Sequence, residues 1–223
     1  MRRFLAFWLS LAAVLIGGTS PSSATDPVTL TDEDKTYLTQ NIRNGVWGGF
    51  ETREEIVENS GDVLEPEKWT EPNSKWRDDL LETEWRKKQA AEVGWPKKTD
   101  YNRLDGVFSK LEADGVLALH HAGATQSDGW DDARQYWDEG GGESSKILGA
   151  AFYYGEDMER VLENGELLLT YGSFDDKKAS DLDIAKRVVA ALSKAGFAVT
   201  APTKPDQRIE IKGLDWKKRS PQD

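Results

Sequence analysis

Residues 99–120 read TDYNRLDGVFSKLEADGVLALH, and their pattern is the clearest indication of the fold class. Its apolar residues recur at the i, i+3, i+4, i+7 spacing of an amphipathic helix: Leu104, Val107, Phe108 and Leu111. Gly115 is typical of a helix C-terminus, and the apolar run Val116 to His120 after it predicts a short buried strand. A helix that leads directly into a buried strand indicates an α/β arrangement.

The same alternation continues to the C-terminus. A loop over residues 121–129 leads into a helix that carries Trp130, Ala133 and Trp137 on one side. Strands are predicted over 147–154 and 166–171, helices over 157–163 and 181–195, and a closing antiparallel hairpin over 197–201 and 208–212. We therefore predict an α/β (or α+β) fold with a mixed sheet of about five strands flanked by helices.

The N-terminal part of the chain is predicted to be helical. Thr31 with Asp34, and Thr52 with Glu55, have capping-box spacing at the start of two helices, which Gly45 and Gly61 are predicted to end. Residues 61–73 are predicted to form a loop, and a third helix with an apolar face follows until residues 94–96. The predicted organisation is a helical region over residues 25–96 and an α/β domain over residues 97–223.

Residues 1–24 have the pattern of a secretory signal peptide, with Arg2 and Arg3 before an apolar run and small residues up to Ala24. The apolar run, residues 4–18, is shorter than the roughly 20 residues that a membrane-spanning helix needs, which weighs against a retained anchor. We expect cleavage after Ala24, no membrane span afterwards, and a secreted, periplasmic or cell-envelope location. With no cysteine, neither disulfides nor a lipid-bearing thiol can form.

Charge restricts the class of partner. Loss of Arg2 and Arg3 leaves 27 of the 29 basic residues against 40 acidic ones, so the formal charge falls from −11 to −13. We do not expect nucleic acid as a partner, because phosphate-binding surfaces need clustered Lys and Arg whereas this chain is strongly acidic. A basic protein partner or a cation fits this charge, although an acidic surface that serves only solubility is the ordinary explanation.

Several separated segments resemble the DUF6891 family of uncharacterised bacterial proteins. They are residues 49–56 (GFETREEI), 99–104 (TDYNRL) leading to Gly115, 122–129 (AGATQSDG), 152–157 (FYYGED), 208–211 (RIEI) and 215–219 (DWKKR). Together they span nearly the whole chain after the leader. The resemblance implies a shared fold and no particular reaction.

The densest group of polar residues follows the first predicted strand. It comprises His120, His121, Thr125, Gln126, Ser127 and Asp128. Loops at the carboxyl ends of parallel strands form ligand crevices, and the turns at 154–157 and 172–176 would lie beside this loop if their strands were parallel. The weak catalytic candidates are His120, His121 and Asp128; the binding candidates are Thr125, Gln126, Ser127, Asp128 and Trp130. The alternative is that Thr, Ser and Asp here cap the following helix.

Metal and cofactor chemistry are not expected. Adjacent histidines in a strand point to opposite faces, and neither Asp128 with Asp131 and Asp132 nor Asp175 with Asp176 has calcium-loop spacing. Ser127, a histidine and Asp128 lie too close in sequence for a catalytic triad, and no G-x-S-x-G motif is present. Trp47, Trp69 and Trp95 are candidates for an aromatic surface that binds peptide or sugar, although core packing is the ordinary role of tryptophan.

The sequence therefore favours a binding or inhibitory module that acts on a protein partner, rather than an enzyme. Two alternatives stay open: a small hydrolase that uses the His120 to Gly129 loop, and a structural component of the cell envelope. The sequence leaves the oligomeric state open.

Overall fold

A computed structural model describes residues 28–175 and 178–221, and the leader predicted over residues 1–24 lies outside them. The N-terminal region contains α1 (Asp32–Gly48), α2 (Arg53–Gly61) and α3 (Glu71–Val93). Thr31 and Thr52 cap the first two helices in the predicted capping boxes with Asp34 and Glu55. The three helices share an apolar cluster that includes Leu38, Ile42 and Trp85.

Two predicted boundaries in this region are wrong. The first helix continues past Gly45 to Gly48, because Val46 is fully buried and the Trp47 indole donates to Glu84 Oε2 of α3 at 3.0 Å. Gly49 ends the helix with a left-handed φ of 78°, a conformation that glycine adopts without steric cost. The predicted loop over residues 61–73 contains a 3-10 turn at Pro66–Lys68 and the start of α3 at Glu71. Pro72 lies in the first turn of α3, where a backbone N–H is not needed.

The second part of the chain forms a five-stranded mixed sheet, as predicted. Its strands are β1 (Val116–Leu119), β2 (Gly149–Phe152), β3 (Leu167–Ser173), β4 (Ala198–Thr200) and β5 (Ile209–Lys212), in the order β1-β2-β3-β5-β4. Strands β1 and β2 are parallel, and every other neighbouring pair is antiparallel. The predicted closing hairpin is confirmed as the β4–β5 pair.

Helices cover both faces of this sheet. On one face, α4 (Asp100–Ala113) and α7 (Asp181–Lys194) bury the main core, which includes Leu104, Phe108, Ile184 and Val188. On the other face, α5 (Gln126–Glu139) packs Ala133 and Trp130 against Phe152. The remaining helix, α6 (Asp157–Asn164), contacts both β3 and α1 and so links the helical region to the sheet.

Candidate functional site

The predicted loop lies where β1 ends, and the parallel β2 brings a second turn beside it. Ala122 N donates to Tyr153 O at 2.9 Å, and Gly155 N donates to Gly123 O at 3.0 Å. The turn after β3 does not join them, because β3 is antiparallel to β2 and Phe174 N instead bonds Leu148 O, before β2 begins. Only the first two of the three predicted turns therefore meet.

The imidazole of His120 is enclosed by protein. Its Nδ1 lies 2.9 Å from Tyr153 Oη, while Nε2 faces Asp105 Oδ1 at 3.4 Å without a hydrogen bond. The ring stacks on Phe108 with centroids 4.4 Å apart. Burial lowers the pKa of His120 to about 4, although Asp105 acts in the opposite direction. His120 is therefore neutral near pH 7.

His121 has a strained backbone. Its φ is 50°, and no other non-glycine residue in the described part of the chain has a positive φ. For a residue with a Cβ this conformation costs about 1 kcal/mol. The imidazole stacks on Phe50, with centroids 4.8 Å apart and planes 3° from parallel, and burial lowers its pKa. Strain of this kind persists where surrounding contacts determine the conformation, and it is frequent at functional sites.

The predicted binding residues after the histidines form a helix cap. Thr125 N donates to Asp128 Oδ2 at 2.9 Å in a capping box at the start of α5, and these bonds to Thr125 lower the pKa of Asp128. Gln126 and Ser127 are exposed in the first turn. Trp130 packs edge-on to Phe152, at 5.2 Å between centroids. The carboxylate that faces His120 is thus Asp105 of α4 rather than Asp128.

The histidines belong to a larger aromatic group that sequence reasoning did not identify as a site. We define the histidine–aromatic cluster as Phe50, Tyr101, Phe108, His120, His121, Tyr153 and Trp216, whose rings contact one another at 4.4–6.4 Å between centroids. Phe50, Tyr101, Tyr153 and Trp216 come from four of the segments that resemble the DUF6891 family. The presence of one ring in each of these segments was the only indication in the sequence that the four rings meet in the fold.

Two lysines lie next to this cluster. Lys218 Nζ lies 4.6 Å from the Phe50 ring centroid and 5.0 Å from that of Tyr101. Lys88 is fully buried, donates to Val46 O at 2.8 Å and faces Glu92 Oε1 at 3.7 Å. Burial lowers the pKa of both amines, that of Lys88 to about 8. The site is therefore an enclosed group of stacked rings with two lysines beside it, of which Lys88 faces the carboxylate of Glu92.

A C-terminal tail (residues 213–221) holds the helical region against this cluster. The Trp216 indole donates to Gly48 O at 3.2 Å and so anchors the tail to the end of α1. Ser220 N donates to Glu92 Oε1 at 2.8 Å, and Arg219 donates to Trp95 O and Pro96 O at 3.3 and 3.1 Å. A Cβ built on Gly49 would lie 2.6 Å from Lys218 O, so the tail requires glycine at that position.

The tail also forms one wall of a groove. The α1–α6 groove has a volume of about 710 Å³ and is lined by α1, the end of α6 and the start of the tail. Trp47, Leu162, Leu214 and Trp216 line its apolar part. The polar lining comprises the side-chain amides of Gln40, Asn44 and Asn164 and the charged groups Arg43, Glu163 and Asp215. Of the three tryptophans considered from the sequence, Trp47 lines this groove, whereas Trp69 bonds Gly61 O at 2.8 Å and Trp95 lies near Arg219.

Neither a metal centre nor a membrane span is found in residues 28–175 and 178–221. These residues contain no group of three or more His, Asp or Glu side chains that could hold a metal ion. None of their helices is both long and apolar enough to cross a bilayer.

Comparison with curated proteins and with solved structures gives no match. A family model described as a domain of unknown function, DUF6891, matches residues 31–220 and so covers most of the chain. The match begins at the cap of α1 and ends at Ser220, so it includes the helical region, the sheet and the tail. The chain belongs to the DUF6891 family.

Proposed function

We propose that this protein is an exported, non-catalytic binding module that holds a segment of a protein partner in the α1–α6 groove. The observation that carries the proposal is the groove itself. Its volume of about 710 Å³ lies within the roughly 300–1,000 Å³ range typical of ligand sites. Its lining combines two tryptophans with a few polar groups, which is the usual composition of such sites.

The chemistry of the lining favours an extended peptide. Primary amides both donate and accept hydrogen bonds. Gln40 Nε2 donates to Asn44 Oδ1 at 3.1 Å, and Asn164 Oδ1 accepts from Glu166 N at 3.0 Å. The carbonyl of Gln40 and the NH₂ groups of Asn44 and Asn164 can therefore bond the N–H and C=O groups of a peptide backbone. Trp47 and Trp216 provide the apolar contact that large anchor side chains use at interfaces.

Charge favours a basic segment. Glu163 and Asp215 contribute two carboxylates to the lining, of which Asp215 pairs with Lys217 at 2.5 Å. The cation of the lining, Arg43, lies 3.9 Å from Glu84. The whole chain carries a formal charge of −11, which attracts a cationic partner at long range. Export through residues 1–24 belongs to the same proposal and would place the partner outside the cytoplasmic membrane.

A hydrolase that uses the His120 to Gly129 loop and a structural envelope component both stay predictions from the sequence. The contacts of the candidate residues fit the binding proposal better. Both nitrogens of His120 face protein groups, and Thr125 and Asp128 bond each other. A general base needs a ring nitrogen within reach of the substrate.

The proposal is tested with a random peptide library displayed on phage and selected on the full mature protein. We expect enrichment of peptides that combine Lys or Arg with one large apolar residue. Asn44→Ala and Glu163→Lys, which change the groove lining, should each weaken binding of the selected peptides about tenfold, equivalent to roughly 1.4 kcal/mol.

Glu159→Lys is the matched control, since it makes the same charge reversal on an exposed position of α6 outside the groove lining. Selected peptides should bind this variant nearly as well as they bind the unaltered protein. Equal weakening in Glu159→Lys and Glu163→Lys would show attraction to net charge alone and would refute the groove as the binding site.

A further inference from the structure

The C-terminal tail connects the two features described above. At one end, Leu214 and Trp216 line the α1–α6 groove. At the other end, Lys218 lies over the rings of Phe50 and Tyr101, and Ser220 bonds Glu92 of α3. A change at the histidine–aromatic cluster that displaces the tail therefore also displaces a wall of the groove.

The cluster holds two neutral imidazoles beside existing cations. Lys218 opposes a positive charge on both His120 and His121. Each histidine is also largely removed from water, so a proton added there gains little hydration. The charged and titratable groups that face the histidines and Lys218 are Asp105 and Tyr101 of α4, Tyr153 after β2, and Lys88 and Glu92 of α3.

Protonation of His120 also affects its hydrogen bond with Tyr153. Tyr153 is fully buried, and its hydroxyl lies 2.9 Å from His120 Nδ1. In the tautomer that carries its proton on Nε2, His120 accepts from the Tyr153 hydroxyl, and a second proton on the ring removes that acceptor. A buried hydroxyl without an acceptor is destabilising.

We propose that the C-terminal tail is a pH-operated latch on the α1–α6 groove, which acidification opens by adding protons to His120 and His121. Opening becomes more favourable at low pH because it separates the new positive charges from Lys218 and lets water hydrate the two protonated rings. Opening removes Trp216 and Leu214 from the groove wall, so the ligand is released as the pH falls. This regulation rests on the proposed function, whereas movement of the tail does not.

The expected size of the effect follows from linkage. The pKa of His120 lies at about 4 in the closed protein, against 6.5 for a free side chain. If opening exposes His120 fully, the ratio of open to closed tail rises by up to about thirtyfold between pH 7.5 and pH 5. Partial exposure gives a smaller factor in the same direction.

The test is hydrogen–deuterium exchange of the full mature chain at about pH 7.5 and about pH 5, corrected for the intrinsic pH dependence of exchange. Amides of residues 214–220 should lose about tenfold or more of their protection at the lower pH. Peptides from β3 should keep their protection, which separates latch opening from global unfolding.

The double variant His120→Asn/His121→Asn removes both titrating groups, and asparagine tolerates the positive φ at position 121. Its tail should show equal protection at the two pH values. Glu92→Gln keeps an oxygen acceptor for Ser220 but loses the carboxylate, and its tail should still respond to pH. A pH response that survives in the double variant, or that disappears in Glu92→Gln, would overturn the latch.

The two proposals fail separately. Tail exchange is measured without any ligand, so a pH-dependent tail together with groove variants that bind peptides normally would refute only the proposed function. A groove that binds peptides beside a tail whose exchange does not change with pH would refute only the latch.

Discussion

A buried ion pair between Arg208 and Asp157 joins the residue before β5 to the start of α6. The guanidinium donates to both carboxylate oxygens, at 2.8 Å from Nη1 and 2.5 Å from Nη2, and Nη2 also donates to Leu168 O at 2.7 Å. The Asp157 side chain is 4% exposed and that of Arg208 is 20% exposed. We predict that Arg208→Met destabilises the protein by about 3–5 kcal/mol, because it leaves a buried carboxylate without its counter-charge.

The measurement is denaturant-induced unfolding, followed by tryptophan fluorescence, with a thermal scan alongside. For a chain of this size the predicted loss lowers Tm by about 6–20 °C. The double variant Arg208→Met/Asp157→Asn should recover much of the loss, since a neutral amide costs less to bury than a carboxylate and still accepts from Tyr154 N, which lies 3.2 Å from Asp157 Oδ2.

Lys75→Met is the matched control, since Lys75 pairs with Asp79 at 2.9 Å while both side chains are more than half exposed. Its unfolding midpoint should not change measurably, because solvent screens such a pair. A loss below about 1 kcal/mol in Arg208→Met, or a double variant no more stable than the single one, would refute the argument from burial.

Three further predictions concern the cluster, the tail and the leader. The pKa of His120 is about 4 in the folded protein and 6.5 in the free side chain, so between these pH values only the unfolded chain takes up a proton. The free energy of unfolding therefore keeps its full value above pH 6.5 and decreases as the pH falls towards 4. The loss is roughly 3 kcal/mol, and denaturation series at several pH values should show it in the unaltered protein relative to His120→Asn. Gly49→Ala should lower the free energy of unfolding in chemical denaturation by about 2 kcal/mol and speed hydrogen exchange of the tail amides. The reason is that φ is 78° at this position and that the new Cβ would lie 2.6 Å from Lys218 O and 2.8 Å from Lys88 Nζ. Gly61→Ala, which has open space around it, should change neither quantity. N-terminal sequencing of protein recovered from the culture medium or envelope should begin at Thr25, and a chain that begins at Met1 would contradict the predicted export.

Local patterns were sufficient for most helices of the fold. The capping boxes at Thr31 and Thr52 predicted two helix starts, because such caps satisfy backbone donors within one turn and need no distant partner. The C-terminus of α1 was not predictable in this way. Gly45 has the residue type of a helix end, but burial of Val46 and the bond from Trp47 to Glu84 extend the helix to Gly48.

The sequence indicated the two histidines of the histidine–aromatic cluster but not the other residues that contact them. The pattern after β1 indicated His120 and His121, and it also indicated Thr125 and Asp128, which form the capping box of α5. The partners of the histidines were not predictable, because Phe50, Asp105, Tyr153 and Lys218 are far apart in the sequence and none has a local motif. The groove was not predictable either, since it exists only where α1, α6 and the tail meet.

The α/β class, the closing hairpin, the helical N-terminal region and the acidic charge could all be predicted from residue types and their spacing along the chain. The tertiary structure alone decided that β3 is antiparallel to β2, because a short buried strand has the same apolar pattern in either direction. It also decided which groups surround His120. Burial by distant segments, rather than any neighbour in sequence, keeps that imidazole neutral near pH 7.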